Sequence, residues 1–108
     1  MEKLNVFLCI LVLLLFISFC QGTRSGTWCV ANGSVTDLEL SAYLDKECEK
    51  PVRCRGIEPG KPCYLPPTLH SHASYMLNLE YKKGSGTCPE KLGMIIDNNP
   101  SYGNCKYH

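Results

Sequence analysis

Pro66-Pro67-Thr68-Leu69-His70-Ser71-His72-Ala73-Ser74-Tyr75-Met76-Leu77-Asn78-Leu79-Glu80-Tyr81-Lys82-Lys83-Gly84 is the stretch of this 108-residue chain around which a fold can be built. Thr68 follows two prolines and can cap a helix with its hydroxyl. Leu69, Ala73, Met76, Leu77 and Glu80 or Tyr81 recur at the i, i+4, i+7, i+8 spacing of one helical face. Lys82 and Lys83 suit the negative C-terminal end, and Gly84 can supply a left-handed closing residue. The spacing predicts a helix over about 69–83.

Working upstream, a second helix is predicted from about Asp37 to Glu49. Thr36 and Glu39 form a capping-box pair, and Leu40, Leu44 and Cys48 share a face with Leu38 and the Ala42 methyl nearby. Lys50-Pro51 ends it, because a residue before proline is pushed out of the helical region. Cys48 and Cys54 straddle that break, so a bridge between them would staple the helix end to the following turn. Gly56-Ile57-Glu58-Pro59-Gly60-Lys61-Pro62-Cys63 reads as loop. Short strands are expected at Trp28–Val30 and Leu92–Ile96, the latter holding the apolar run Met94-Ile95-Ile96. The expected fold is a small disulfide-rich α+β domain over residues 27–107, with two main helices, a small sheet and long coils.

The first residues belong to something else. Glu2 and Lys3 precede an uncharged apolar run from Leu4 to Phe19, and Cys20-Gln21-Gly22 offers small residues to a signal peptidase. This layout is a secretory signal over residues 1–22; the run falls short of the ~20 apolar residues a membrane anchor needs. Removing 22 of 108 residues leaves 86, and of the eight cysteines six remain: Cys29, Cys48, Cys54, Cys63, Cys88 and Cys105. In a small secreted chain six cysteines read as three disulfides, and no Cys-x-x-Cys pair supports zinc. Eight Leu, three Val, three Ile and two Met make a small core, so the crosslinks are expected to decide folding. Asn32-Gly33-Ser34 is a glycosylation sequon, while proline disqualifies Asn99-Pro100-Ser101.

Eleven Lys+Arg against ten Asp+Glu give a net charge of +1, which disfavours nucleic acid and anionic membranes as partners. No serine-nucleophile motif is present, oxidised cysteines offer no thiolate, and the scattered acids Glu58, Glu80 and Asp97 suggest no cleft for sugar cleavage. His70 and His72 sit about 200° apart on a helix, so one exposed and one packed histidine is expected instead of a metal site. No cofactor is expected. Trp28 is joined by six tyrosines and, past the leader, no Phe. Tyrosine rings can stack on a sugar's flat apolar face while their hydroxyls meet its polar edge, and about half are expected at the core edge. Tyr75 and Tyr81, six apart on one helix, cannot share a face.

Four separated motifs carry a resemblance: Trp28-Cys29-Val30-Ala31, Ile57-Glu58-Pro59-Gly60-Lys61-Pro62-Cys63-Tyr64, His72-Ala73-Ser74-Tyr75-Met76-Leu77-Asn78 and Pro100-Ser101-Tyr102-Gly103-Asn104-Cys105. With six cysteines in this order, residues 27–107 resemble the plant family-43 carbohydrate-binding modules, the X-eight domain. The resemblance implies two helices, a small antiparallel sheet and the pairings Cys29–Cys88, Cys48–Cys54 and Cys63–Cys105. It further implies a non-catalytic module for β-1,3-glucan, including callose, in its free secreted form without hydrolase domain or anchor. The chain departs from the family pattern at Leu77, where Phe is usual, and at Glu80-Tyr81, where a Tyr pair is usual.

The resulting expectation is a monomeric, secreted, cell-wall protein that binds β-1,3-glucan without cleaving it. The expected ligand residues are Tyr75, Tyr81, Tyr64, Tyr102 and Trp28 as stacking rings, with Asn78 and Glu80 for the sugar hydroxyls. A separate glucanase is a conceivable partner. The rival readings are a disulfide-rich signalling or defence protein without glucan affinity and an accessory subunit of a β-1,3-glucanase.

Overall fold

The computed structural model describes residues 26–108, and the expected signal segment 1–22 lies outside the described residues. Five elements follow in chain order: strand β1 (Trp28–Ala31), helix α1 (Asp37–Glu47), a 3-10 segment (Pro51–Ile57), helix α2 (Leu69–Lys83) and strand β2 (Gly93–Ile96). The strands pair antiparallel, Trp28 opposite Ile96 and Ala31 opposite Gly93. The α+β class and all three expected pairings, Cys29–Cys88, Cys48–Cys54 and Cys63–Cys105, are present.

Both α-helices start where their caps place them. The Thr36 hydroxyl accepts the Glu39 N–H and donates to the Glu39 carboxylate, each at 3.2 Å, while Thr68 Oγ1 accepts the Ser71 N–H at 3.1 Å. Helix α1 stops at Glu47, two residues before the expected end. Pro51 then opens the 3-10 segment as its first residue, which suits its missing N–H. The Cys48–Cys54 bridge clamps these two pieces together. Helix α2 ends at Gly84, but not in the left-handed conformation, since its φ is −108°. A Cβ there would meet the Glu80 carboxylate folded back over the helix end, so a larger residue would have to displace it.

The core fills one side of β1. Cys29 and Ala31 point into a cluster with Leu40 and Leu44 of α1 and Ala73, Met76, Leu77 and Tyr81 of α2. Trp28 and Val30 alternate to the opposite face, where they pack on Cys63, Cys105 and Tyr107. Leu38 is 82% exposed, so it leaves the α1 core face on which it was expected. Met94 and Ile95, which point to opposite faces of β2, are also exposed.

The other edge of β1 is closed by side chains. Its Cys29 and Ala31 N–H groups point away from β2 and are taken by Asn78 Oδ1 at 3.2 Å and Ser74 Oγ at 2.9 Å. Ser74 and Asn78 are one helical turn apart, so a single face of α2 satisfies a strand edge that would otherwise leave donors buried and unpaired. Replacing Asn78 with Leu, or Ser74 with Ala, is expected to destabilise the domain by about 1–3 kcal/mol. Chemical denaturation gives the loss, and amide exchange at Cys29 or Ala31 should accelerate; unchanged protection would contradict this role.

Candidate functional site

A groove of about 430 Å³ opens where the N-terminal half of α2 meets the sheet and the segment after β2. Pro66, Val30, Ile96, Pro100 and Tyr107 give it apolar walls, and His70, Ser71, Ser74 and Tyr102 complete the lining. No carboxylate or lysine lines it. Two segments far apart in sequence form its mouth because Cys63 and Cys105 are bonded: Leu65 and Pro66 follow one cysteine, and Pro100 to Tyr102 precede the other.

Tyr102 is the exposed ring of this groove, at 38% accessibility. It begins a tight turn in which Tyr102 and Cys105 exchange backbone hydrogen bonds of 3.0 and 2.8 Å, with Gly103 at φ +52°. A left-handed residue at that corner is what glycine provides at little cost. The Tyr102 hydroxyl donates to the Leu65 carbonyl at 2.7 Å and lies 3.3 Å from Ser71 Oγ. The ring is therefore fixed at both ends, by its turn and by its hydroxyl. Behind it, Ser101 Oγ accepts the Tyr107 N–H at 2.8 Å, and burial pushes the Tyr107 hydroxyl pKa up.

Tyr64 lies half-buried beside the same loop. His72 Nε2–H donates to the Tyr64 carbonyl at 2.6 Å, and the two rings meet at 5.6 Å. His70 is exposed and faces the groove, which leaves one packed and one exposed histidine as expected.

The other expected ligand residues sit elsewhere. Tyr75 packs edge-on against Tyr107 with centroids 5.8 Å apart, and its hydroxyl end lies so close to Gly56 that a Cβ there would force the ring to move. Tyr81 is only 8% exposed and hydrogen-bonds Thr27 at 2.8 Å, so its ring belongs to the core. Asn78, 2% exposed, accepts from Cys29 and donates to the His108 carbonyl at 3.3 Å, so burial keeps it from a surface ligand. Trp28 is half-buried on the far side of Val30, with Lys82 Nζ 5.2 Å above its ring. The α2 spacing separated Tyr75 from Tyr81 correctly, but it carried no sign of which partners each ring meets.

Glu80 is a structural ion. Its carboxylate takes a charge-assisted hydrogen bond from Arg53 Nη2, which also lies 3.3 Å from Glu47, and it accepts the Ser85 N–H at 3.0 Å. The Arg53 bond, then the Ser85 amide, hold the Glu80 pKa below its ordinary 4.5. A depressed folded-state pKa stabilises the fold above about pH 4.5, and that contribution is lost as pH falls through the folded value. Because the pair is partly exposed, the loss should be about 1 kcal/mol or less. Glu80→Gln should flatten this part of an acid-denaturation curve; an unchanged acid limb would show that the pair contributes nothing.

A second hollow, of about 770 Å³, lies between α1 and residues 89–92. Glu39, Lys46, Glu90 and Lys91 stand on its walls with Tyr43 and Leu92. A neutral ring laid there would strip water from charged groups, whereas the first groove has no carboxylate, lysine or arginine on its walls.

Fold and groove define a small, triply crosslinked α+β domain whose groove, beside a disulfide, has no carboxylate, lysine or arginine on its walls. Residues 27–91 match the X8 domain, and the chain belongs to that family. It is 33% identical over 87 residues to a glucan endo-1,3-beta-D-glucosidase of Olea europaea, which covers 77% of this chain and 19% of that protein. It is 37% identical over 89 residues to glucan endo-1,3-beta-glucosidase 7 of Arabidopsis thaliana, covering 79% and 18%. It is also 37% identical over 82 residues to plasmodesmata callose-binding protein 3 of Arabidopsis thaliana, covering 73% of this chain and 45% of that protein. The chain thus spans about a fifth of the glucosidases and under half of the callose-binding protein. No solved structure matches it.

Proposed function

We propose that the chain is a secreted, non-catalytic module that binds β-1,3-glucan in the plant cell wall. The observation that carries this reading is the groove: a fixed, exposed Tyr102 ring beside apolar Pro66, Pro100, Val30 and Ile96, edged by Ser71 and His70. A glucosyl ring has C–H faces for such a wall and hydroxyls for such an edge. Tyr102 is the stacking residue, and Tyr64 extends the surface along the Leu65–Pro66 loop. The similarity to a callose-binding protein supports the ligand class. Binding is favoured over hydrolysis because the groove lining has no carboxylate and Glu80 is committed to Arg53. Three disulfides suit a protein folded in an oxidising compartment, in keeping with the leader read at residues 1–22.

Sedimentation with insoluble β-1,3-glucan, with cellulose and xylan as controls and reducing ends assayed in parallel, tests this. Retention on β-1,3-glucan without released sugar is expected. Tyr102→Ala should weaken retention by about 1–3 kcal/mol, taking the range known for a base stacked on an aromatic ring. A folded, correctly bridged protein that ignores β-1,3-glucan would overturn the reading. Unchanged retention in Tyr102→Ala would move the site off this groove.

A further inference from the structure

The sequon Asn32-Gly33-Ser34 takes no part in the core and lines neither hollow described above. It begins one residue past β1, with the Asn32 N–H on the Leu92 carbonyl at 2.9 Å. The Asn32 Oδ1 accepts both the backbone N–H and the hydroxyl of Ser34, each at 3.1 Å. The carboxamide is thus turned so that its oxygen carries both bonds, and among the described residues its nitrogen Nδ2 has no hydrogen-bond partner. Gly33 and Ser34 are exposed, and the space beside Gly33 is open. The second Asn-x-Ser shares the backbone bond, with Asn99 Oδ1 accepting the Ser101 N–H at 2.9 Å, but Pro100 stands at its centre and the Ser101 hydroxyl serves the Tyr107 N–H.

We propose that Asn32 is a site of N-linked glycosylation, receiving an oligosaccharide from a polyprenyl-pyrophosphate donor in the secretory lumen. In that transfer a bond forms between Asn32 Nδ2 and the sugar C1 as the C1–O bond to pyrophosphate breaks. The polyprenyl pyrophosphate leaves with the bonding electron pair, and the amide gives one proton to the transferase's base. The Ser34 hydroxyl, bonded to the amide oxygen, holds the carboxamide by that oxygen and leaves the nitrogen for the transfer. Room for the product exists in the folded state, since the turn faces open space. The proposal rests on passage through the secretory pathway and is independent of glucan binding.

The test is expression of the full chain, with its own leader, in a eukaryotic secretory host, followed by intact-mass measurement of the secreted product. The expected result is one glycan increment per chain, removed by a peptide N-glycosidase that leaves Asp at position 32. Asn32→Gln and Ser34→Ala should abolish it, and Ser34→Thr should retain it. Secreted, fully bridged protein at the bare polypeptide mass would overturn the proposal, and so would retention of the chain in the cytosol. Should Asn32→Gln fail to be secreted, the Ser34→Ala and Ser34→Thr pair still decides. Glucan retention measured on refolded, unglycosylated protein is a separate readout, so failure at the sequon is distinguishable from failure to bind glucan.

Discussion

Cys29→Ala combined with Cys88→Ala should unfold the domain at physiological temperature. The bridge joins residues 59 apart, and on the chain-entropy account a loop of that size restrains the unfolded chain by about 4 kcal/mol. A domain this small has a net stability of only a few kcal/mol, so most or all of it would be lost. The same account gives about 4 kcal/mol for Cys63–Cys105, separated by 42, and about 2 kcal/mol for Cys48–Cys54, separated by 6. Thermal or denaturant melts of the three double variants should therefore rank with the Cys48–Cys54 pair mildest. An equal or greater loss at Cys48–Cys54 would show that native contacts, not loop closure, dominate. Gly93 reports on the first bridge separately: a Cβ there would come within 2.9 Å of Cys29 Sγ and 3.0 Å of Cys88 Sγ.

Leu77→Ala should cost about 2–5 kcal/mol, the range for deleting a large aliphatic side chain from a packed core. Leu77 is 0% exposed and shares a cluster with both helices and β1, so little can collapse into the space it leaves. Leu38→Ala is the matched control, since Leu38 is 82% exposed and its loss should stay within about 0.5 kcal/mol. Denaturant midpoints for the two variants give the comparison, and similar shifts would contradict the assignment of the core. The position also explains one departure from the family pattern. With Leu77 wholly buried, the absent Phe ring changes core volume and removes nothing from the exposed surface.

Helix α2 was legible because its apolar period, its Thr68 cap and its terminal lysines agree. The 3-10 segment was not: Pro51 reads as a stop, and seven residues of 3-10 helix have no apolar period of their own. Spacing placed Leu38 near the α1 core face, but α2 and β1 lie against Leu40 and Leu44, and one further side chain has nothing to cover it. The site was harder. Tyr102 stood inside a quoted motif with Pro100, yet its groove partners Pro66 and Val30 come from two segments far from it in sequence. The Cys63–Cys105 pairing brings the Pro66 and Pro100 segments together, and the cysteine order alone left fifteen pairings open. Asn78 and Glu80 look like sugar-binding polar residues in a sequence, because nothing local shows that one closes a strand edge and the other holds Arg53.

The two long bridges overlap along the chain. Cys63 lies inside the span from Cys29 to Cys88, and Cys105 lies outside it. A single peptide-bond cut anywhere from Cys29 to Cys105 therefore leaves both fragments covalently tied, by one bridge or by both. A protease that nicks the exposed loop at Glu58-Pro59-Gly60-Lys61 breaks the backbone but releases no fragment. Between Cys29 and Cys105, then, one clip by a protease leaves a single covalent molecule, and two cuts are the least that can shed a piece.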